Sequence, residues 1–237
     1  MKLSQPIHQL KRRSKRQARE AGIPLHKALN ETARREGFAS WSLLVAKMAG
    51  AVPAATLFNQ LEPGDLLLVG GRPGQGKTLI SLELAAEALR RGRHGAFFTL
   101  EYAERDVRAR LQALGLDISQ FEERFAVDCS DAISADYIIR TLAGAARGTL
   151  VVIDYLQLLD QKRENPELAV QVASLRKFAR ERGLIVVLIS QIDRAYDPST
   201  KPVPDLTDVR LPNPLDLKLF DKACFVQAGE LRFQASN

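Results

Sequence analysis

The chain has 237 residues, of which 46% are hydrophobic and 26% are charged, and its formal net charge is +6. This length and composition fit one α/β domain with a small additional unit and argue against a wholly disordered chain. No apolar run approaches the roughly 20 residues of a membrane-spanning helix, and no apolar segment of the signal-peptide type follows the basic N-terminus. Two cysteines are too few for a disulfide framework. We therefore expect a cytoplasmic protein with no membrane partner.

The positive charge is concentrated at the N-terminus. Residues 1–50 contain 11 basic and three acidic residues, a net charge of +8, whereas the rest of the chain sums to −2. Clustered Lys and Arg side chains bind polyanions because they release the counterions of phosphate groups. A helix face that meets only solvent gives the same pattern. The charge alone therefore leaves two interpretations of this basic head open.

The basic head, residues 1–50, is predicted to form three short helices. The first begins at Pro6 and ends at Gly22, the second lies between Pro24 and Gly37, and the third follows Ser40. We expect these helices to share a small core, formed by Ile7, Leu10, Leu25, Leu29, Phe38 and Trp41.

Residues 51–56 are predicted as a linker, and residues 57–237 as a second domain in which strands and helices alternate. Apolar strands such as LLLV, LVVI and LIVVLI, separated by amphipathic helices, are typical of a parallel sheet covered on both faces. The predicted strands are 65–70, 96–100, 124–128, 150–154 and 184–190, with a terminal hairpin at 223–226 and 230–234. The predicted helices are 78–91, 104–114, 135–146 and 167–182. The fold class is therefore α/β, with a mostly parallel central sheet flanked by helices.

Residues 71–78 carry a phosphate-binding motif. Their sequence, GRPGQGKT, matches G-x-x-x-x-G-K-[ST] and lies between a predicted strand and a predicted helix. Glycines allow backbone N–H groups to surround a phosphate, and the helix N-terminus adds a favourable dipole. We expect Lys77 to bind the β- and γ-phosphates and Thr78 to bind Mg²⁺. The predicted nucleotide site comprises Gly71, Arg72, Pro73, Gly74, Gln75, Gly76, Lys77 and Thr78.

Polar residues follow three other predicted strands. Asp154 ends the strand TLVVID, where a P-loop protein needs a carboxylate on the Mg²⁺ side. Glu101 ends the strand FFTLE, and a carboxylate there is suited to orient the attacking water as a general base. Gln191 and Arg194 follow the strand LIVVLIS, where an amide is placed to sense a γ-phosphate. Taken singly, each of these residues also fits an ordinary role as a helix cap, a solvated strand-end charge or a turn residue.

In this order, the segments GRPGQGKT, FFTLEY, VVIDYLQLL and ISQIDR resemble the motor domain of DnaB-type replicative helicases, which are RecA-like ATPases. The phrases LEPGDLLLVGGRPGQGK and IDYLQ are close to that family, whereas KaiC- and RadA-type proteins share the general pattern less closely. The resemblance covers residues 56–210. It implies a RecA-like P-loop fold, ATP and Mg²⁺ as cofactors, and nucleic acid, single-stranded DNA above all, as a partner.

The resemblance also implies roles for individual residues. Lys77, Glu101 and Gln191 would be catalytic, with Glu101 as the catalytic carboxylate and Gln191 as the γ-phosphate sensor. Thr78 and Asp154 would contact Mg²⁺. Arg194 would lie near the nucleotide.

The chain departs from the DnaB-type pattern in several places. The family carries an Arg and a Lys on its C-terminal hairpin, which reach a neighbour's ATP site, whereas the segment FVQAGELRFQ has only Arg232 and no Lys. The loops 160–166 and 195–208 fall where the family contacts DNA, but the second is rich in proline. The basic head stands in the place of the helicase N-terminal domain.

The sequence thus predicts a DnaB-like ATPase that acts on nucleic acid as a helicase or translocase, with a homo-oligomer as a possible form. The alternative is a slow ATPase that uses bound ATP as a switch for a protein partner and does not unwind. Glu101 and Gln191 favour hydrolysis, whereas the shortened hairpin favours the switch. A small-molecule kinase has less support, because no Arg-rich lid segment is present.

Overall fold

The computed structural model describes residues 3–38, 41, 44, 54–160, 164–211, 213–228 and 230–235. The chain divides into two compact units, one of residues 1–51 with 228–230 and one of residues 52–227 with 231–237. Within the described part of the chain, no helix has both the length and the apolar character needed to cross a membrane.

The first unit is built on helices α1 (Ile7–Glu20) and α2 (Leu25–Arg35). Both follow a proline, whose fixed φ and missing N–H suit a helix start. The buried apolar side chains that they share with the following segment are Leu10, Ala33, Phe38, Trp41 and Leu44. This arrangement confirms the predicted burial of Leu10, Phe38 and Trp41.

One predicted core residue of this unit is wrong. Leu25 is 39% exposed, because it is the first residue of α2 and lies beyond the turns of the helix that pack against α1. The predicted third helix lies mostly outside the described residues, although Trp41 and Leu44 are both helical and buried.

The predicted linker is helical where the structure describes it. Residues Ala54–Phe58 form a short helix, α3, whose Leu57 and Phe58 are buried in the core of the second unit. Ala54 and Ala55 have high helix propensity, which favours the helix. The described end of the predicted linker is therefore part of the second unit.

Seven strands of the described residues form one sheet with the order β3-β2-β4-β5-β1-β6-β7. The pairs β1–β5, β1–β6, β2–β3, β2–β4 and β4–β5 are all parallel. The strands are β1 (Leu66–Gly71), β2 (Gly95–Thr99), β3 (Phe125–Asp128), β4 (Leu150–Asp154), β5 (Ile185–Gln191), β6 (Lys222–Gln227) and β7 (Glu230–Ala235). The remaining helices are α4 (Lys77–Arg90), α5 (Glu104–Ala113), α6 (Ala135–Thr141) and α7 (Leu168–Arg182). Short 3-10 helices lie at Ile118–Phe121, Leu156–Asp160, Leu206–Asp208 and Leu217–Leu219.

Alternate residues of each central strand point to opposite faces of the sheet, and both faces are buried. Leu66 and Leu68 of β1 join one core with α6 and α7, whereas Leu67 and Val69 join a second core with α3, α4 and α5. This explains why the strands are continuously apolar and lack a polar face. The predicted α/β fold with a mostly parallel sheet and flanking helices is confirmed.

Two of the predicted elements differ from the structure. The helix predicted over 135–146 ends at Thr141, since the following residues form turns that lead into β4. The first strand of the predicted terminal hairpin, β6, also pairs in parallel with β1 and is buried over Ala223–Val226. The hairpin is therefore part of the central sheet beside the phosphate-binding strand.

Gly70 allows β6 to lie close to β1. A Cβ atom at Gly70 would lie 2.7 Å from two ring atoms of Phe225, which is fully buried. Such a distance is far inside ordinary van der Waals contact, so any side chain at position 70 must displace the phenyl ring.

We expect Gly70→Ala to lower the free energy of unfolding by about 1–3 kcal/mol, since the added methyl group overpacks the core at Phe225. Urea denaturation measures the change. Gly144→Ala is the control, because a Cβ atom at Gly144 would meet no atom within 4 Å, and it should shift the unfolding free energy by less than about 1 kcal/mol. Equal stability of the two variants would contradict the assigned contact.

Candidate functional site

The candidate site lies at the carboxyl ends of four neighbouring strands, β2, β4, β5 and β1. Asp154, the last residue of β4, pairs with Thr99 of β2, and Gln191, the last residue of β5, pairs with Gly71 of β1. In an open parallel sheet this edge is where ligands bind. The register therefore places the ends of three predicted motifs side by side.

The glycines of the segment 71–78 are needed for its backbone path. Gly74 and Gly76 have φ angles of +75° and +103°, which residues with a Cβ rarely adopt. At Gly71 a Cβ atom would lie 2.9 Å from the carbonyl oxygen of Val226 and 3.0 Å from Cγ of Lys77. The loop then leads into α4, which begins at Lys77. A tight glycine loop at a helix N-terminus is the geometry that binds phosphate groups.

Lys77, Thr78 and Asp154 are connected at the start of α4. The Nζ atom of Lys77 donates a hydrogen bond to the carbonyl oxygen of Arg72 at 3.2 Å. The hydroxyl of Thr78 donates to Oδ2 of Asp154 at 3.1 Å, and Asp154 is only 1% exposed. The structure therefore brings a lysine, a hydroxyl and a buried carboxylate together on two neighbouring elements.

Glu101 lies close enough to this centre to act on the pKa values of Asp154 and Lys77. Burial and the negative charge of Glu101 together raise the pKa of Asp154 to about 7, against the opposing effects of Thr78, Lys77 and Arg110. Burial lowers the pKa of Lys77, whereas the charges of Asp154 and Glu101 act to raise it. Glu101 itself is exposed, two residues beyond β2, and its N–H donates to the Thr99 hydroxyl at 3.0 Å. The site thus holds two acidic groups of different exposure.

The residues present fit a Mg²⁺ ion. A raised pKa means that the environment of a buried carboxylate disfavours its negative charge. A divalent cation bound to its oxygens would stabilise that charge. Thr78 and Asp154 offer the hydroxyl and carboxylate oxygens that Mg²⁺ prefers, with nucleotide phosphates and waters completing its coordination. Within the described residues no cluster of three or more His, Cys, Asp and Glu side chains is arranged to hold a metal. A Mg²⁺ ion held by Thr78 and Asp154 would therefore need further ligands, which nucleotide phosphates and waters would supply.

Gln191 contacts a residue that the sequence did not single out as part of the site. Its side-chain Oε1 accepts a hydrogen bond from the Arg210 guanidinium at 3.4 Å, and its backbone carbonyl accepts from the Arg210 N–H at 2.8 Å. The Arg210 carbonyl in turn accepts from the Gln157 side chain at 3.1 Å. Gln191, at the end of β5, is therefore hydrogen-bonded to Arg210 at the far end of the loop that follows this strand.

Arg72 also contacts this loop. Its Nη2 atom donates to the carbonyl oxygens of Arg194 at 2.9 Å and Tyr196 at 2.5 Å, and its guanidinium lies 5.4 Å from the centre of the Tyr196 ring. Tyr196 is 5% exposed, and its hydroxyl donates to the Lys201 carbonyl oxygen at 2.7 Å. The Arg72 side chain thus joins the phosphate-binding loop to residues 194–201. Its predicted contact with nucleotide stays a prediction.

The other predicted residues are placed as follows. Pro73 and Gly74 are exposed at the tip of the phosphate-binding loop, and the N–H of Gln75 donates to the Arg72 carbonyl oxygen at 3.2 Å. Arg194 is exposed, and the contact described for it is through its backbone carbonyl.

Sequence reasoning missed Tyr102 and Arg110. Tyr102 follows Glu101 directly, and the Arg110 guanidinium on α5 lies 4.4 Å from the centre of its ring. The positive charge of Arg110 also acts to lower the pKa of Asp154. No motif marks Arg110, because only the packing of α5 against α4 and β3 brings it to the site.

Residues 56–203 match the family model described as "ATPase: KaiC". The chain belongs to this KaiC-type ATPase family. As a member of it, the chain is a P-loop ATPase with a RecA-like fold, and nucleotide use is a property of the family.

Two curated relatives are similar to part of the chain. The DNA repair protein RadA of Brucella abortus is 31% identical over 137 residues, which are 55% of this chain and 29% of RadA. The replicative helicase DnaB of Synechocystis is 30% identical over 181 residues, which are 63% of this chain and 21% of DnaB. The chain thus spans less than a third of either relative.

Solved structures show the same fold. One of them, described as an ATPase domain, superposes with a TM-score of 0.58 at 19% identity, over 73% of this chain and 75% of that domain. A DnaB-like replicative helicase, described with its primase interactions, gives 0.57 at 20% identity over 69% and 47% of the two chains.

Together with the DnaB relative, these structures confirm the resemblance to a DnaB-type motor domain. The sequence motifs place RadA-type proteins further from this chain than DnaB-type helicases. The two identities, 31% for RadA and 30% for DnaB, do not separate them. The DnaB alignment is the longer of the two.

We expect Asp154→Asn to stabilise the chain when nucleotide and Mg²⁺ are absent. The raised pKa lowers stability as the pH rises from the unfolded-state value of about 4 to the folded-state value of about 7, because the unfolded chain ionises first. This cost is therefore partial near pH 5 and complete above about pH 7. At pH 8 the variant should unfold with a free energy about 2 kcal/mol above wild type.

Urea denaturation in EDTA at pH 5 and pH 8 measures this difference, which should shrink at the lower pH. Asp131→Asn, at an exposed position, is the control and should change stability little at either pH. A pH-independent difference for Asp154→Asn would contradict the burial of an ionisable carboxylate.

Proposed function

We propose that this ATPase binds ATP with Mg²⁺ and uses its hydrolysis to act on nucleic acid as a DnaB-like helicase or translocase. The observation that carries the proposal is the meeting of Lys77, Thr78, Asp154 and Glu101 at one edge of the sheet. These are the groups that phosphoryl transfer to water requires: a cation for the phosphates, oxygen ligands for a metal, and a base.

Each side chain has a separate task in this proposal. Lys77 binds the phosphate oxygens and exchanges its contact with the Arg72 carbonyl for them. Thr78 and Asp154 hold Mg²⁺, which, when bound, neutralises charge on the phosphates. Glu101, the exposed carboxylate, orients a water molecule and accepts its proton. Asp154 is buried and is therefore unsuited to meet bulk water.

The contacts of the loop 192–211 join it to the phosphate-binding loop and to the end of β5. Arg72 of the phosphate-binding loop holds the near end of this loop, and Gln191 holds its far end through Arg210. Inside the loop, the Lys201 Nζ atom lies 2.7 Å from Asp205 and 2.5 Å from Asp208. These ion pairs limit the conformations open to the middle of the loop, which favours its moving together when either anchor changes. We propose that residues 195–208 contact single-stranded DNA and respond to the nucleotide in this way.

The second candidate is a slow ATPase that acts as an ATP-dependent switch on a protein partner. It is favoured by the segment FVQAGELRFQ, in which Arg232, an exposed residue of β7, is the only basic residue. A cation supplied by a neighbouring subunit typically raises hydrolysis by about 10³–10⁵. The first proposal expects a homo-oligomer in which another group of the neighbouring subunit takes the place of that cation. The second proposal expects no such group.

We expect Glu101→Gln to keep ATP affinity and to lower the rate of hydrolysis at least about 100-fold, because an amide orders water but does not accept its proton. Glu123→Gln, which removes an exposed carboxylate elsewhere, is the matched control and should keep the wild-type rate. Turnover by Glu101→Gln at the wild-type rate would place the base at another residue.

The same assay with single-stranded DNA separates the two candidate functions. Faster hydrolysis by the wild-type chain on addition of DNA supports the translocase. A rate that single-stranded DNA leaves unchanged favours the switch.

A further inference from the structure

We propose that the exposed face of α1 binds the phosphate backbone of nucleic acid without regard to sequence and without ATP. The proposal rests on the proposed function, which makes nucleic acid the partner, and it adds a site outside the ATPase unit. We call the face the α1 stripe, and it consists of Lys11, Arg12, Lys15, Arg16 and Arg19.

The helix geometry places these five side chains together. At about 100° per residue, positions 11, 15, 19, 12 and 16 fall within an arc of about 140°, and they extend over about 12 Å of the helix axis. All five residues are exposed. Five positive charges on one narrow face repel each other, which costs stability unless a polyanion binds there.

The opposite face of α1 is fixed against α2. Leu10, Ser14 and Ala18, spaced four residues apart, are buried. The hydroxyls of Ser14 and Thr32 lie 2.7 Å apart in this interface, and each is also within hydrogen-bond distance of the carbonyl oxygen four residues before it. One hydroxyl donates to the other, which in turn donates to its own carbonyl. Because one face is held by these contacts, the α1 stripe has a defined orientation toward solvent.

The nearby acidic groups leave the α1 stripe largely unneutralised. Glu31 accepts a hydrogen bond from the Gln17 side chain at 2.8 Å, and Glu36 accepts from the Ser4 N–H at 2.8 Å. Glu20 lies 3.8 Å from the Arg16 guanidinium, but both side chains are at least 70% exposed. Pairs of this kind contribute little.

The chemistry of this face favours phosphate over a membrane or a protein. A helix that binds a bilayer inserts an apolar face, and the apolar side of α1 is occupied by α2. Protein interfaces depend on aromatic and apolar anchors, and among the described residues of this unit Leu25 is the one exposed large hydrophobic side chain. Lys and Arg side chains that contact phosphates hold a nucleic acid without reading its sequence.

The test compares two triple variants of the full chain with equal loss of charge. Arg12→Gln, Lys15→Gln and Arg19→Gln remove three cations of the α1 stripe, and glutamine preserves helix propensity. The control variant carries substitutions at three exposed cations of the ATPase unit, Arg140→Gln, Lys177→Gln and Arg182→Gln. The affinity for a single-stranded oligonucleotide is measured without nucleotide between about 50 and 200 mM salt.

We expect the stripe variant to lose at least about tenfold in affinity, and the slope of log affinity against log salt to fall by about 2. The control variant should bind like wild type. Equal losses in both variants, or no loss in the stripe variant, would overturn the proposal. Tighter binding of wild type to phosphatidylserine vesicles or to polyglutamate than to the oligonucleotide would overturn the choice of nucleic acid.

Hydrolysis of ATP without DNA distinguishes this proposal from the proposed function. The stripe variant should retain the wild-type rate, because the substituted side chains are outside the nucleotide site. The wild-type chain could hydrolyse no ATP and still bind the oligonucleotide through the α1 stripe. That result would contradict the proposed function and support the proposal for the α1 stripe.

Discussion

The parallel register of β2, β4, β5 and β1 is the constraint on which the candidate site depends. It sets Asp154 beside Thr99 and Gln191 beside Gly71, so that residues far apart in the chain end at the same edge. The apolar strands bury both faces of the sheet and fix this register. Without that packing the carboxylate of Asp154, which burial disfavours as an anion, would not be held against Thr78.

The strand and helix order was predictable because the central strands are continuous apolar runs and amphipathic segments separate them. The phosphate-binding loop was predictable because its glycines and lysine have fixed spacing. The parallel pairing of β6 with β1 was not, since it depends on the close approach of Phe225 to Gly70 across the sheet. Arg110 likewise has no local signal, because its place at the site follows from the packing of α5.

The contacts of Arg72 add a second part to the interpretation of the phosphate-binding loop. Its contact with nucleotide stays a prediction, and in the structure its side chain contacts the loop after β5 through two carbonyl oxygens and the ring of Tyr196. A loop that contacts the phosphate-binding loop at one end and Gln191 at the other is suited to transmit the nucleotide state. The same arrangement serves a translocase and a switch, which differ in what the loop contacts.

Calorimetric titration of the full chain with ATP and Mg²⁺, beside Lys77→Ala, tests the nucleotide site most directly. The account predicts one ATP bound per chain by wild type and no detectable binding by Lys77→Ala. The circular dichroism spectrum of the variant should be unchanged, since Lys77 contacts a loop carbonyl and lies outside the apolar cores. Equal affinity of the two proteins for ATP would contradict the assignment of this loop as the phosphate-binding site.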